Sequence, residues 1–279
     1  MSQIELYNST CKELSKVLTN RYSSSFSNGI KLFKKDLRYG IYSIYGFVRL
    51  ADEIVDTFHY LDKRKYLQQI RVDVFDSIQN KFHSNPILHS FGQVVNEYGI
   101  LHEHIHSFLD SMEMDINMTR FDSEQYKKYI YGSAEVIGLF CLKVFLKDEP
   151  NKYEELAYSA KKMGSAFQKI NFLRDIKSDF EQRDRIYFPG IDIQSFTDLN
   201  KRTIEDDIKT DFLEGLQGIK RLPSSSRYGV LLAYKYYYFL LIKMSKVSSQ
   251  DVLSGRIRIS DVRKVIILIS HYLQSKFKS

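Results

Sequence analysis

The stretch KDLRYGIYSIYGFVRLADEIVDTFH, residues 35–59, decides the fold. Its apolar residues Ile41, Ile44, Tyr45, Val48, Ala51 and Val55 recur at three- and four-residue intervals, the spacing that lines one side of an α-helix. Tyr45, Arg49, Asp52 and Asp56 follow i, i+4, i+7, i+11 steps along the border of that stripe, so both carboxylates face inward or into a cleft. Like charges four residues apart destabilise a helix, and sheltered carboxylates raise each other's pKa unless a cation neutralises them. A divalent metal is the simplest neutraliser, because Mg²⁺ is usually held by one or two carboxylates plus phosphate oxygens. The alternative is a solvated helix face carrying a chance pair.

A second row shifts the balance. In SAFQKINFLRDIKSDFEQRDRIYFP, residues 165–189, Gln168, Asn171, Asp175 and Asp179 stack at three- and four-residue steps beside an apolar face containing Phe167, Ile170 and Leu173. Two such helices facing each other would oppose two rows of hard oxygen donors. Arg49 and Arg174 would add planar donors suited to phosphate oxygens, and the set reads as a diphosphate and Mg²⁺ site.

Outward from these two helices the chain is periodic almost throughout. Helices are expected at about 3–20, 36–58, 62–82, 86–98, 101–117, 123–147, 151–182, 203–220, 226–247 and 259–276. YSSSFSNG (22–29) reads as a loop and GIDIQSFTDLNKRTIEDD (190–207) as the longest irregular stretch, but neither reads as a linker. With 13 Gly and only 4 Pro in 279 residues, an all-α bundle forming a single domain over 1–279 is expected.

A net charge of +7 calls for an anionic partner: nucleic acid, a membrane surface or a phosphorylated substrate. The basic residues are scattered and form no run interleaved with aromatics, so no nucleic-acid partner is expected. Two cysteines, Cys11 and Cys141, make no disulfide framework, and a reducing cytoplasm fits them. AEVIGLFCLKVFL and VLLAYKYYYFLLIKM are interrupted by Lys143 and Lys235 and are too short for a transmembrane helix. The chain is expected to be a monomer or weak dimer, cytoplasmic, with peripheral contact at the inner membrane surface as an open alternative.

An Asp-x-x-x-Asp after an Arg, a later Gln-x-x-Asn-x-x-Arg-Asp-x-x-x-Asp, and Arg-Ile-Tyr-Phe-Pro together resemble the phytoene/squalene synthase family of head-to-head prenyl transferases. The resemblance covers nearly the whole chain. YSSSF at 22–26 resembles the family's Ser-x-Ser-Phe, and FLDSMEMDINMTRF at 108–121 its acidic middle motif. YIYGSAEVIG at 129–138 resembles a Tyr-Cys-Tyr-x-Val-Ala-Gly-Thr-Val-Gly helix, and Tyr237 with Leu240 and Leu241 a late Tyr-x-x-Ile-Leu pattern.

The resemblance implies the all-α isoprenoid synthase fold around a central cavity. It implies that Asp52, Asp56, Asn171, Asp175 and Asp179 hold Mg²⁺, or Mn²⁺, against two prenyl diphosphates. It also implies that Ser23, Ser25, Tyr45, Arg49, Tyr129, Gln168, Arg174 and Tyr237 contact substrate, with Tyr45 and Arg49 among the catalytic residues. The expected reaction joins two geranylgeranyl diphosphates, through a cyclopropylcarbinyl diphosphate, to phytoene in carotenoid biosynthesis, without NADPH. The alternative is squalene, dehydrosqualene or presqualene diphosphate from farnesyl diphosphate. A eukaryotic squalene-type C-terminal anchor is not expected, which favours the bacterial phytoene type. A non-catalytic scaffold would be expected to lose metal-binding acids, whereas both aspartate pairs are intact.

Two departures bear on the site. Glu135 and Val136 stand where the family usually has Gly-Thr, which affects the depth of the tunnel and hence the chain length accepted. Tyr22 and Ser24 stand where some members carry His and Lys. Elsewhere, His102 and His106 in LHEHIH read as a solvated helix start, since no further ligand cluster accompanies them. Asp110, Glu113 and Asp115 read either as a polar face or as part of the cavity mouth. The basic, amphipathic RISDVRKVIILISHYLQSKFKS at the C-terminus reads first as packing onto the bundle and second as a membrane-surface helix.

Overall fold

Helix starts and stops follow local chemistry. Ser2 and Glu5 form a capping box at the first helix; Asn85 caps a helix that begins on Pro86, and Gly99 ends it at φ 63°, where a side chain would be strained. Further capping boxes at Asp122/Gln125 and Thr197/Asn200 open two more helices. The computed structural model describes residues 1–276, except the side chains of Ser24, Ser25, Asp261, Ile269 and residues 272–276.

Within the described residues the α-helices are α1 (Gln3–Tyr22), α2 (Ser24–Ile30), α3 (Lys35–Asp56), α4 (Lys63–Asn80), α5 (Pro86–Tyr98), α6 (His102–Asn117), α7 (Ser123–Ile130), α8 (Val136–Phe145), α9 (Tyr153–Arg183), α10 (Asp198–Arg221), α11 (Ser224–Met244), α12 (Ser249–Ser254) and α13 (Asp261–Lys276). A π-helical turn, Tyr131–Glu135, joins α7 to α8. The only strand-like pairing among the described residues is an isolated bridge between Arg120 and Ile186. The all-α expectation holds.

Three elements differ from the sequence reading. The stretch read as a loop at 22–29 contains α2, whose short Ser-rich turn is capped by the Ser23 hydroxyl accepting from the Phe26 amide at 3.3 Å. The capping box at Thr197 starts α10 at Asp198, inside the stretch read as irregular. Six residues of α12 were not anticipated.

The chain buries two apolar clusters. The first is built from α3, α4, α5, α6 and α8, with Phe47 stacked on Phe91 at 4.1 Å and both wholly buried. The second is built from α7, α9, α10, α11 and α12 together with Tyr187, Phe188 and Phe196. Each fully buried Phe or Leu contributes about 1.5–3 kcal/mol relative to exposure. Helices α8 and α9 approach backbone to backbone: a Cβ on Gly138 would collide with the Ala160 carbonyl, and one on Gly164 with that of Ala134. By contrast α3 packs on α1, α5 and α8, α9 packs on α10 and α8, and the backbones of α3 and α9 barely touch. The polar borders of these two helices therefore meet through side chains, at the seam between the two clusters. Among the described residues no helix is long and apolar enough to cross a membrane.

Candidate active site

On α3, Ile41, Ile44, Ala51 and Val55 are buried in the first cluster, which turns Tyr45, Arg49, Asp52 and Asp56 toward the seam in a half-buried position. Burial first, and the neighbouring Asp56 second, push the Asp52 carboxyl up to about 7; Arg49 and Arg183 pull it down without prevailing. Arg49 pairs with Glu53 and lies over the Tyr22 ring at 4.3 Å, while its Nε is buried without a partner. Tyr45 stacks on Phe26 at 5.3 Å, and burial raises its phenol, with Arg49, Asp52, Tyr237 and Ser23 as its electrostatic neighbours.

On α9, Ala166, Ile170, Phe172, Leu173 and Ile176 face the second cluster, leaving Gln168, Asn171, Asp175 and Asp179 half-buried at the seam. Arg174 donates to both oxygens of Asp175, at 3.0 and 2.6 Å, and Arg256 adds a second fork at 2.8 and 3.1 Å. Burial and the adjacent Asp175 raise Asp179 to about 6. Arg183 bridges the helices, 3.3 Å from Asp56 and 3.8 Å from Asp179. Asp56 of α3 and Asp179 of α9 thus face each other through Arg183. Tyr237 closes one side, its ring stacked on Phe167 at 4.2 Å.

Ser23 serves as the cap of α2 beside Tyr45, and the side chain of Ser25 lies outside the described residues. Tyr129 is 2% exposed; its hydroxyl donates to Asp115 at 2.7 Å and its ring stacks on Tyr187 at 5.1 Å. Of the acidic middle group, only Asp115 joins the site. It accepts from Tyr129, from Tyr187 at 3.1 Å and from Arg185 at 3.0 Å, yet burial still holds its carboxyl up at about 6. Asp110 is half-buried and accepts from Arg71 at 2.8 Å. His102 and His106 lie against Phe75.

The residues fit a divalent cation. The Oδ1 of Asn171 is buried with no hydrogen-bond partner, and a buried acceptor left unpaired calls for a donor or an ion. Asp52 and Asp179 are both driven toward protonation, first by burial and then by a neighbouring acid. Among the described residues no three His, Cys, Asp or Glu side chains surround one point. A cation here would therefore draw only part of its oxygen shell from the protein, which is how Mg²⁺ is held beside a phosphorylated ligand.

Arg183, Arg185, Tyr187, Glu53 and Arg256 were not singled out from the sequence. Arg185 and Tyr187 lie in the Arg-Ile-Tyr-Phe-Pro motif itself; Arg256 gave no signal, since only tertiary structure brings it to Asp175 across 81 residues.

Comparisons with known proteins bear on the family and the fold. A family model described as squalene/phytoene synthase matches residues 19–263. Among curated relatives, a 4,4'-diapophytoene synthase of Staphylococcus haemolyticus is 26% identical over 76% of this chain and 71% of its own length. A chloroplastic phytoene synthase of Daucus carota is 25% identical over 92% and 68%. The fold is similar to a ligand-bound dehydrosqualene synthase (TM-score 0.81, 19% identity, 96% and 98% covered). It is also similar to a squalene synthase from Alicyclobacillus acidocaldarius (TM-score 0.74, 19% identity, 90% and 97% covered). With its match spanning most of the sequence and its fold shared with these enzymes, the chain belongs to the squalene/phytoene synthase family of head-to-head prenyl transferases.

Proposed function

We propose that this protein joins two geranylgeranyl diphosphates head-to-head, through a cyclopropylcarbinyl diphosphate, to phytoene in a Mg²⁺-dependent, NADPH-independent reaction. The observation that carries the reading is the opposition of Asp52 and Asp56 to Asp179 across the α3–α9 seam, beside the unpartnered Oδ1 of Asn171. Asp52, Asp56, Asn171, Asp175 and Asp179 would hold Mg²⁺, which supplies positive charge to a departing diphosphate.

The remaining steps fall to the chain's own groups. Arg49 and Arg174 present guanidinium forks that now rest on Glu53 and Asp175, so incoming diphosphate oxygens replace one carboxylate partner with another anion. The Tyr45–Phe26 and Phe167–Tyr237 stacks line the prenyl chain and offer ring faces to the allylic cation. The packed rings of Phe121, Tyr129, Phe172 and Tyr187 keep water from that cation until the second chain's double bond captures it.

A second reading, dehydrosqualene or squalene formation from farnesyl diphosphate, is favoured by one local feature. Glu135 accepts from Ser165 at 2.7 Å and Val136 is wholly buried, which sets a polar pair and a branched side chain where the family usually has Gly-Thr. A shallower tunnel would take a C15 chain.

Product analysis of the purified protein with Mg²⁺, given each diphosphate separately with and without NADPH, tests both readings. A C40 hydrocarbon with a central conjugated triene, formed from geranylgeranyl diphosphate independently of NADPH, is expected. A C30 product from farnesyl diphosphate alone would move the chain to the second reading, and no product from either would overturn both.

A further inference from the structure

The inner side of α13 is tied to α11: Tyr236 donates its hydroxyl to the Lys264 carbonyl at 3.1 Å, and the buried His271 ring lies 2.8 Å from the Tyr228 carbonyl. Its first two turns nevertheless present Val262, Val265 and Ile266 outward, 72%, 52% and 49% exposed. That is an i, i+3, i+4 stripe on the face where a helix packed against a soluble domain ordinarily carries polar residues.

Basic groups lie at the start of α13 and just before it. The Lys243 ammonium touches the Arg258 carbonyl at 2.6 Å, and the Arg263 guanidinium lies 4.6 Å from the centre of the Phe239 ring. No ion pair to a carboxylate is seen for Lys243, Arg258 or Arg263 among the described residues. Two residues before Arg258, Arg256 reaches back to Asp175, so the segment that leads into α13 touches the acidic seam.

We propose that this face docks the protein onto an anionic lipid surface, the three apolar side chains entering the headgroup region and Lys243, Arg258 and Arg263 meeting lipid phosphates. Charge selects this occupant. A second copy of a chain carrying +7 would bring like charges together at the stripe, whereas an anionic bilayer complements both its apolar and its basic parts. Docking would hold the seam near the layer in which prenyl diphosphates and hydrocarbon products partition; that purpose, though not the docking itself, rests on the proposed function.

Flotation of the full chain with phosphatidylcholine vesicles, with and without phosphatidylglycerol, tests the proposal. The protein is expected to float with the anionic vesicles only and to be released by high salt. The triple variant Val262→Ser, Val265→Ser, Ile266→Ser should lower partitioning about tenfold or more while leaving turnover of detergent-dispersed substrate unchanged. Should that variant fold poorly by circular dichroism, the double variant Arg258→Glu, Arg263→Glu gives the same readout through charge.

Absence of wild-type binding, or equal binding by wild type and either folded variant, overturns the proposal. So does a wild-type dimer that the triple variant converts to monomer without lipid, since the face would then join copies. Vesicle binding is read without substrate and product formation without vesicles, so failure of either claim is distinguishable from failure of the other.

Discussion

Helices α3 and α9 carry the same device, two aspartates one turn apart, but the first aspartate of each pair stands in a different electrostatic setting. Asp52 is sheltered from water, has Asp56 beside it and its nearest arginine paired with Glu53, and its carboxyl is pushed up to about 7. Asp175 is gripped by two guanidinium groups, from Arg174 and Arg256. The difference teaches that Asp52 lacks a committed positive partner while Asp175 already holds two. At Asp175 a metal would compete with arginine, and at Asp52 it would relieve repulsion.

The largest effect expected concerns what the rows share. Asp52→Asn and Asp175→Asn should each lower turnover by about 10²- to 10³-fold, the scale for removing one group that steadies developing charge. Near-wild-type steady-state rates in either variant would break the assignment of both rows to one site.

The next concerns the floor beneath them. Asp115→Ala leaves Arg185 buried without its carboxylate and strips a partner from Tyr129 and Tyr187, and should cost about 3–5 kcal/mol in denaturant unfolding. A loss below about 1 kcal/mol, the scale of a single surface pair, would show the network to be solvated instead.

The rows should then part in sign. In metal-free protein Asp52→Asn removes a like-charge clash and should raise the melting temperature by roughly 2–4 °C, whereas Asp175→Asn abandons two arginines and should lower it by a similar amount. Shifts of the same sign in scanning calorimetry would erase the comparison.

The smallest effect is a slope. Asp52 at about 7 and Asp115 and Asp179 at about 6 bind protons more tightly folded than unfolded, where an aspartate titrates near about 4. That stability is fully present below the unfolded value and is lost as pH rises through the folded ones. Melting temperatures of metal-free protein should therefore fall between about pH 4 and 7, and saturating Mg²⁺ should flatten the decline.

Much of this was legible before the fold was known, for a definite reason. Arg49, Asp52, Asp56, Asn171, Asp175 and Asp179 repeat at helical spacing beside an apolar stripe, and that pattern fixes which way they point. What could not be read depends on distant segments or on short ones. Arg256 meets Asp175 only because α12 and the loop after it fold back along α9. Asp115 resembled its neighbours Asp110 and Glu113 in sequence, and burial alone separates them. The seven residues of α2 looked like a loop because serine and glycine favour turns when nothing packs against them.

The π-helical turn at Tyr131–Glu135 makes one rod serve two interiors. Tyr129 and Ile130 on one side of it enter the second cluster, and Val136, Leu139 and Phe140 on the other enter the first. One residue in a helix is worth about 100° of rotation, so the widened turn works as a phase shifter between halves that could not otherwise share an axis. Length is thus conserved information there: a chain shortened by one residue in this turn would keep its composition and its helices, yet aim one half's side chains away from the core they fill.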